Sequence, residues 1–597
     1  MLASLNPCCK GKSVLQTQGT RLETTQVARK PLTRWFLGSL GAIYLIAMHL
    51  FMHNPGGAGL SLPFNQAIWI PLSFAIGAGL LEICRQGFWR YSKLTIVLLI
   101  SCILLTLPIF YPQSVPHLAV PRLIGIWAGW LLFVSLQQFS FTQKQRQRLL
   151  WFVLIAVLME AIFGWIQYLL LEPGNYIGYN TFKNKPYGIF QQINVMASFM
   201  ATGLVLSAYL LAREPMYRGK WNWKHLPLLV TPILTIPLIA VIDSRTGKLG
   251  ATVSALLILP FLYHYAARKQ MRLWGLMVLL GLALSWNWTQ SPEFTPKLDA
   301  PGRIEERAGI YPHTLYMIKQ APVIGSGYGN FESAYTQSAA FQFAQEISAH
   351  TPSAALDHPH NELLYWTAEG GIVPLIALLI AAGAVFIRVL KTKKGTRLAI
   401  IGLFFPITLH SQLEYPFYHA LVHFITFILL IYWVDQLTAK YKKKPLYRVQ
   451  LLRINALLIP ALATVFIASG LQSGYWLNKF EQKIPREPEL LMKVTNPVLW
   501  QSRFDWNLFT TELEFGVATN NPDMIQSYIH WAHKTAETMP RPSLYQNMAI
   551  AYHALGEVEK GQQILDEARY LFPNHPLTEP TVTITSSSST PAVSETN

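Results

Sequence analysis

The segment Asp357-His358-Pro359-His360-Asn361-Glu362 places two histidines and two acids at the mouth of a long apolar run. An imidazole titrates near neutrality, so it can take a proton from a hydroxyl nucleophile. The same four ionisable side chains form a nitrogen and oxygen set that can hold a metal, and the segment can also act purely as a helix cap. His-x-His without a compact ligand set elsewhere is a weak metal signature, so proton transfer is the favoured reading.

Three other ionisable groups fall on the same expected side of the chain. Asp243-Ser244-Arg245-Thr246-Gly247-Lys248 lies between two apolar runs. A guanidinium there offers a planar fork of donors to phosphate oxygens, and Lys248 follows about one helical turn later. The structural alternative is an Arg245–Asp243 pair or snorkelling to lipid headgroups. Arg303 and Arg307 lie four apart in Gly302-Arg303-Ile304-Glu305-Glu306-Arg307, where Glu305 and Glu306 can neutralise them locally. The stretch that follows ends in Pro322-Val323-Ile324-Gly325-Ser326-Gly327-Tyr328-Gly329-Asn330-Phe331. No strand–helix unit surrounds those glycines, which excludes a nucleotide fingerprint and predicts a tight turn returning the loop to the membrane. The third group is His410-Ser411-Gln412-Leu413-Glu414-Tyr415-Pro416-Phe417-Tyr418-His419, dense in polar groups for a position between two apolar runs. It fits either a cavity lining or a solvated loop.

The elements that must position these residues are membrane helices. The chain is 51% hydrophobic and only 13% charged, about half the charge of a soluble chain. Its apolar runs are long enough to cross a bilayer. Thirteen spans are predicted: 34–52, 66–84, 93–111, 123–140, 149–171, 193–212, 226–242, 248–266, 272–289, 362–387, 398–412, 417–435 and 454–474. The run 398–412 is short and contains Pro406, so a broken or re-entrant helix is an alternative there. The net charge of +17 sits in alternate loops, for example Arg85/Arg90/Lys93, Lys144/Arg146/Arg148, Arg388/Lys391/Lys393/Lys394 and Lys440/Lys442/Lys443/Lys444. This positive-inside pattern explains the charge without nucleic acid. It predicts a cytoplasmic N-terminus, with the chemical groups and the C-terminal region outside. The first apolar run reads as a signal anchor. Cys8, Cys9, Cys84 and Cys102 all fall in the inward tail or in spans two and three, so no outward disulfide is available. Cys8-Cys9 is either an acylation site or incidental.

The expected organisation is a cytoplasmic tail over 1–33, nine spans over 34–289, a large outward loop over 290–361, four spans over 362–475, an outward helical domain over 476–576 and a disordered Ser/Thr-rich tail over 577–597. Within the helical domain, Pro542 to Pro573 has the spacing of one tetratricopeptide-type hairpin, which needs neighbouring helices to bury its face. That domain is either a plain cap or a docking surface for a protein.

Taken in order, Arg245 in Ser-Arg-Thr-Gly, Arg307 ahead of Ile310-Tyr311, the Pro322 to Phe331 glycine turn, and His360-Asn361 opening a span are together similar to the O-antigen ligase/polymerase superfamily. More narrowly, the chain resembles bacterial general protein O-oligosaccharyltransferases of the PglL type. That likeness is carried by His53 to Asn65, Gly188-x-Phe190-x-Gln192-x-Asn194, His410-Ser411 through Leu413-Glu414-Tyr415-Pro416, and the repeat-like C-terminal region, and it runs over most of 34–575. The resemblance implies an all-α polytopic protein of the bacterial inner membrane. It implies a glycan on polyprenyl (undecaprenyl) pyrophosphate, moved en bloc at the periplasmic face to Ser or Thr of periplasmic or pilin-like proteins, without metal or cofactor. By the same resemblance Arg245 and Arg307 bind the pyrophosphate, His360 is the essential histidine, and Gln192 and Tyr415 are linked to activity. Lys248, Arg303, His358 and Glu414 are supporting candidates. Two departures stand out. Gln192-Ile193-Asn194 replaces the expected Gln-Pro-Asn, losing a proline that would fix the backbone, and Tyr311 stands where Trp is usual. The alternatives are an O-antigen ligase acting on lipid A-core or a glycan polymerase, and, from another class, a transporter or scaffold, which would pair ionisable groups near the bilayer midplane. The Ser/Thr tail resembles the segments such enzymes modify, so it is also a candidate acceptor.

Overall fold

The computed structural model describes residues 32–214, 223–290 and 303–577, with 303–307 described along the backbone alone. In a bilayer core every backbone polar group must be satisfied within the chain, which is why the apolar runs become helices. The first nine are α1 (Thr33–Leu45), α2 (Pro63–Gln86), α3 (Lys93–Thr106), α4 (Pro116–Gln138), α5 (Gln143–Leu169), α6 (Ile193–Leu211), α7 (His225–Ile242), α8 (Arg245–Tyr265) and α9 (Arg268–Thr289). The large loop contributes α10 (Arg303–Gln320) and α11 (Phe331–Ala344). Then come α12 (Glu362–Gly370), α13 (Ile372–Leu390), α14 (Lys394–Ser411), the single turn α15 (Pro416–His419), α16 (Leu421–Thr438) and α17 (Gln450–Gln482). The C-terminal region adds α18 (Gln501–Ala518), α19 (Pro522–Ala536), α20 (Pro542–Ala554) and α21 (Val558–Leu571). Two short strands, β1 (Phe88–Tyr91) and β2 (Lys442–Pro445), pair antiparallel and join two of the basic loops.

Among the described residues, ten helices are long and apolar enough to cross a membrane: α2, α3 with its extension to Phe110, α4 to α8, α13, α16 and α17. The chain is thus an all-α polytopic membrane protein. Three of the thirteen expected spans fall short of that length or composition. The run 34–52 forms α1, which ends at Leu45 after 13 residues and passes into a short 3-10 turn at Ala47–His49. The run 272–289 forms α9, a full 22 residues that open on Arg268, Lys269 and Arg272. The run 398–412 forms α14, which continues unbroken through Pro406. The expected span 362–387 is corrected. It breaks at Gly371, where φ is +68°, so α12 is a separate short helix and the crossing helix is α13.

Helix α6 is buried along almost its whole length and forms the centre of the bundle, whereas α13 and α17 bury little and lie at its rim. Small residues let neighbours reach α6 closely. A Cβ on Gly247 would fall 2.4 Å from the Cβ of Ala197. The glycine of Ser244-Arg245-Thr246-Gly247 therefore seats the start of α8 directly on α6.

The helices after α17 have their own core, with Leu513, Tyr528, Leu544, Ala549 and Leu565 fully buried. Ala340 of α11 belongs to that core. Beside it Arg541 makes a two-pronged ion pair with Glu332, Nε to Oε1 at 2.8 Å and Nη2 to Oε2 at 3.1 Å, and Asn574 donates to Thr351. Removing one member of a buried pair leaves the other charge unpaired, which costs about 3–5 kcal/mol, whereas replacing both with apolar residues is often neutral. Arg541→Met should therefore lower the thermal unfolding temperature in detergent and expose 331–344 to protease. Adding Glu332→Met should restore most of the loss. An equal loss in single and double variants would show that this pair does not seat the C-terminal helices.

Candidate active site

Asn361 is the N-cap of α12: its Oδ1 accepts the Leu364 N–H at 3.0 Å, and its Nδ2 donates to the Gln412 carbonyl at 3.0 Å. Directly before this cap His360 adopts φ +56°, a left-handed conformation that costs a residue with a Cβ on the order of 1 kcal/mol. Two bonds hold it there. The His360 N–H donates to His358 Nδ1 at 2.9 Å, and the Tyr311 hydroxyl donates to the His360 carbonyl at 3.3 Å. Because Nδ1 accepts, His358 is neutral with its proton on Nε2. Burial, then the neighbouring His360 and the Arg122 charge, push the His358 imidazole well below the usual histidine range. Its ring packs among Tyr365, Tyr415 and Tyr418 at 4.4, 4.9 and 5.7 Å between centroids. Tyr415 lies 5.5 Å from the His360 ring as well.

A second network approaches from α6. Gln192 is its N-cap: Oε1 accepts the N–H groups of Asn194 and Val195 at 2.6 and 3.0 Å, and Nε2 donates to Glu414 at 3.0 Å. Ile193 occupies the first helical position, where a proline would also fit. The two capping bonds fix Gln192 without it. Asn194 donates to the other oxygen of Glu414 and accepts from Ser244 Oγ at 2.6 Å. Ser244 in turn caps α8 by accepting the Gly247 N–H at 3.0 Å. Arg245, the exposed first residue of α8, is thereby tied through Ser244 and Asn194 to the buried Glu414. His410 completes the network, with Nε2 3.3 Å from Glu414 and Nδ1 2.8 Å from Ser198 Oγ. The loop ahead of Gln192 hangs from α5, where Glu160 accepts the Ile189 N–H and Gln167 accepts those of Tyr187 and Gly188.

His358, His360, Tyr415, Glu414 and Gln192 are thus brought to one end of the bundle, with Arg245 joined to them by hydrogen bonds. Lys248 is committed elsewhere, since its ammonium pairs with Asp243. Arg303 and Arg307 fall in the first turns of α10, and their side chains lie outside the described residues. On the backbone Arg307 stands one turn before Tyr311.

Sequence reasoning missed Arg122 and Glu369. Arg122 on α4 pairs with Glu369 on α12 and places its guanidinium carbon 4.3, 4.5 and 4.9 Å from the rings of Tyr328, Trp366 and Tyr365. Glu369 also accepts the N–H groups of Gly329 and Phe331 at 2.9 and 3.2 Å. A signal was present in the sequence: an arginine and a glutamate inside or beside two apolar runs are each costly alone and point to a partner.

Three family models match the chain in order. A protein glycosylation ligase model covers 186–211, which holds Gln192 and Asn194. An O-antigen ligase model covers 230–379, which holds Arg245, Arg307 and His360. A model for the C-terminal part of a virulence factor membrane-bound polymerase covers 398–582, which holds Glu414 and Tyr415. The general O-oligosaccharyltransferase of Acinetobacter baylyi is 24% identical over 403 residues, or 64% of this chain, and the match spans 61% of that relative's own length. With the three models in this order, and with a relative of that kind aligned over 64% of the chain, the protein is similar to the O-antigen ligase/polymerase superfamily and, more narrowly, to its PglL-type branch.

Proposed function

We propose that this protein moves a preassembled glycan en bloc from a polyprenyl pyrophosphate donor to serine or threonine hydroxyls of protein acceptors. The observation that carries the reading is His360, held in a left-handed turn by His358 and Tyr311 beside Tyr415 and the Gln192–Glu414 pair. The protein glycosylation ligase match across Gln192 supports it further. Arg245 and Arg307 hold the pyrophosphate and stabilise its charge as it leaves. His360 takes the proton of the acceptor hydroxyl. The hydroxyl oxygen then bonds to the anomeric carbon, the bond from that carbon to the phosphate oxygen breaks, and the pyrophosphate departs with the electron pair. Attack opposite the leaving group inverts the anomeric carbon. The site and the C-terminal helices face the periplasm across the bacterial inner membrane, and those helices offer periplasmic or pilin-like acceptors a surface beside the His360 loop. A second reading, transfer to lipid A-core or glycan polymerisation, is favoured by the matches over 230–379 and 398–582.

The test is reconstitution of the protein with a lipid-linked glycan, a pilin-like protein and lipid A-core. Glycan on Ser or Thr supports the first reading, and glycan on lipid A-core alone supports the second. His360→Ala should reduce transfer by about 100- to 10,000-fold while membrane insertion stays intact. His358→Ala, which removes the acceptor of the His360 N–H, should lower kcat by about tenfold or more and leave the donor KM nearly unchanged. Full activity in His360→Ala would overturn the assignment. Glu414→Gln presents an amide to donors that now face a carboxylate, so it should disturb both Gln192 and the α8 cap and raise the donor KM as well as lower kcat. An unchanged donor KM would detach Glu414 from the Arg245 region. Product with the donor's anomeric configuration retained would exclude direct displacement.

A further inference from the structure

The opposite end of the bundle, where the basic loops gather, contains a cleft of about 330 Å3 for which the glycan chemistry has no use. It opens between β1, the turn joining α4 to α5, and the last turns of α16. Arg90 and Arg146 both line it. Arg90 Nη1 donates to Ser140 Oγ at 3.1 Å, and its guanidinium carbon sits 4.3 Å over the Tyr441 ring. Arg146 Nη1 donates to Gln436 Oε1 at 2.5 Å. Each fork is thus oriented by one neutral oxygen and, among the described residues, neither is neutralised by a carboxylate. The nearby acid, Asp435, is already engaged: it lies 3.4 Å from Arg388 Nε and accepts from Gln137 and from the Tyr441 hydroxyl, each at 3.0 Å.

Two oriented guanidinium forks in a half-buried cleft match the geometry of phosphate oxygens. The level of the cleft identifies the carrier. Arg146 lies on the first turn of one crossing helix and Gln436 on the last turn of another, so the mouth is at headgroup depth. Phe139 and Phe141 supply an apolar wall beside the arginines. The exposed Lys442, Lys443 and Lys444 of β2 stand in register with Tyr91, Arg90 and Trp89 of β1.

We infer that this cleft binds the phosphate of an anionic phospholipid from the leaflet on the basic side of the bundle, with Arg90 and Arg146 as its ligands. The full-length protein in detergent would be titrated separately with cardiolipin, phosphatidylglycerol and phosphatidylethanolamine and followed by native mass spectrometry and thermal unfolding. Wild type should retain the anionic lipids in preference to phosphatidylethanolamine. R90Q/R146Q should weaken that retention by about tenfold or more, as expected for loss of charge-assisted bonds. K442Q/K443Q/K444Q, which strips only the exposed charge of β2, should change it about twofold or less. R90K/R146K keeps the charge without the fork and should fall between wild type and R90Q/R146Q, which gives a second reading if the glutamine variant is unstable. Equal anionic lipid on wild type and R90Q/R146Q, or equal retention of phosphatidylethanolamine, would overturn the proposal. Protection by millimolar inorganic phosphate matching that of the lipids would overturn the lipid as its source.

Discussion

Glu369 is a carboxylate with no exposed surface, in a helix surrounded mainly by apolar and aromatic side chains. A charge in such a place costs several kcal/mol unless it is paired and hydrogen-bonded, and the end of the bundle that carries the histidine loop is arranged around meeting that demand. Arg122 supplies the charge from α4, and the N–H groups of Gly329 and Phe331 supply the remaining donors from the returning loop. The carbonyls of Ala368 and Glu369 accept the N–H groups of Ser326 and Gly327, each at 2.9 Å. These bonds bring the loop backbone so close to α12 and to the chain before α4 that a Cβ on Gly327 would lie 2.2 Å from the Gln113 carbonyl oxygen. Gly325, Gly327 and Gly329 all have positive φ, the conformation glycine adopts freely. One ion pair thus explains the glycine turn, the position of α12, and the place from which α11 departs.

The two networks of the candidate site meet in the short segment 410–415. Its backbone serves the histidine loop, because the Gln412 carbonyl accepts from Asn361 and from Tyr311. Its side chains serve the other network, because Glu414 receives Gln192 and Asn194 while His410 reaches Ser198. A shift of this segment therefore acts on His360 and on the α8 cap at once. The left-handed turn at His360 is sustained by the same connection. Its carbonyl and its N–H are both held, and the side chain that holds the N–H is a histidine kept neutral by burial. A protonated His358 would have no Nδ1 lone pair to offer, so the conformation of His360 rests on the desolvation of its neighbour.

Much of this was legible in the sequence, and the illegible part has a common cause. Apolar length gave the helices, glycine spacing gave the returning turn, and Asn361 before Glu362 gave the start of a helix, because each is a local property of the chain. The break at Gly371 was concealed by the apolar residues on both sides, since hydropathy reports composition and not backbone conformation. Arg122 and Glu369 are 247 residues apart, and Gln192 and Glu414 are 222 apart. Each looks isolated in its own run, and only the packing of the helices reveals its partner. Gln192 shows the limit in the other direction. The missing proline raised doubt about its placement, yet the fold needed only a capping side chain there, and glutamine provides one.

Helix α11 links the glycine turn and α12 to the C-terminal helices. Its first residue, Phe331, has its N–H on Glu369 and packs with Tyr335, Ala339 and Ile310 against Ala368. One residue further along, Ala340 belongs to the core of α18 to α21, and Glu332 holds Arg541. The inner side of α11 therefore reads the position of the glycine turn and its outer side reads the position of the C-terminal helices. Rigid packing transmits displacement because a close-packed interior has little free volume to absorb it. One helix of 14 residues separates the C-terminal helices from Glu369, and Glu369 belongs to α12, whose N-cap Asn361 directly follows His360. The C-terminal helices are thus joined to the histidine loop by an unbroken series of packed and hydrogen-bonded contacts through α11 and α12.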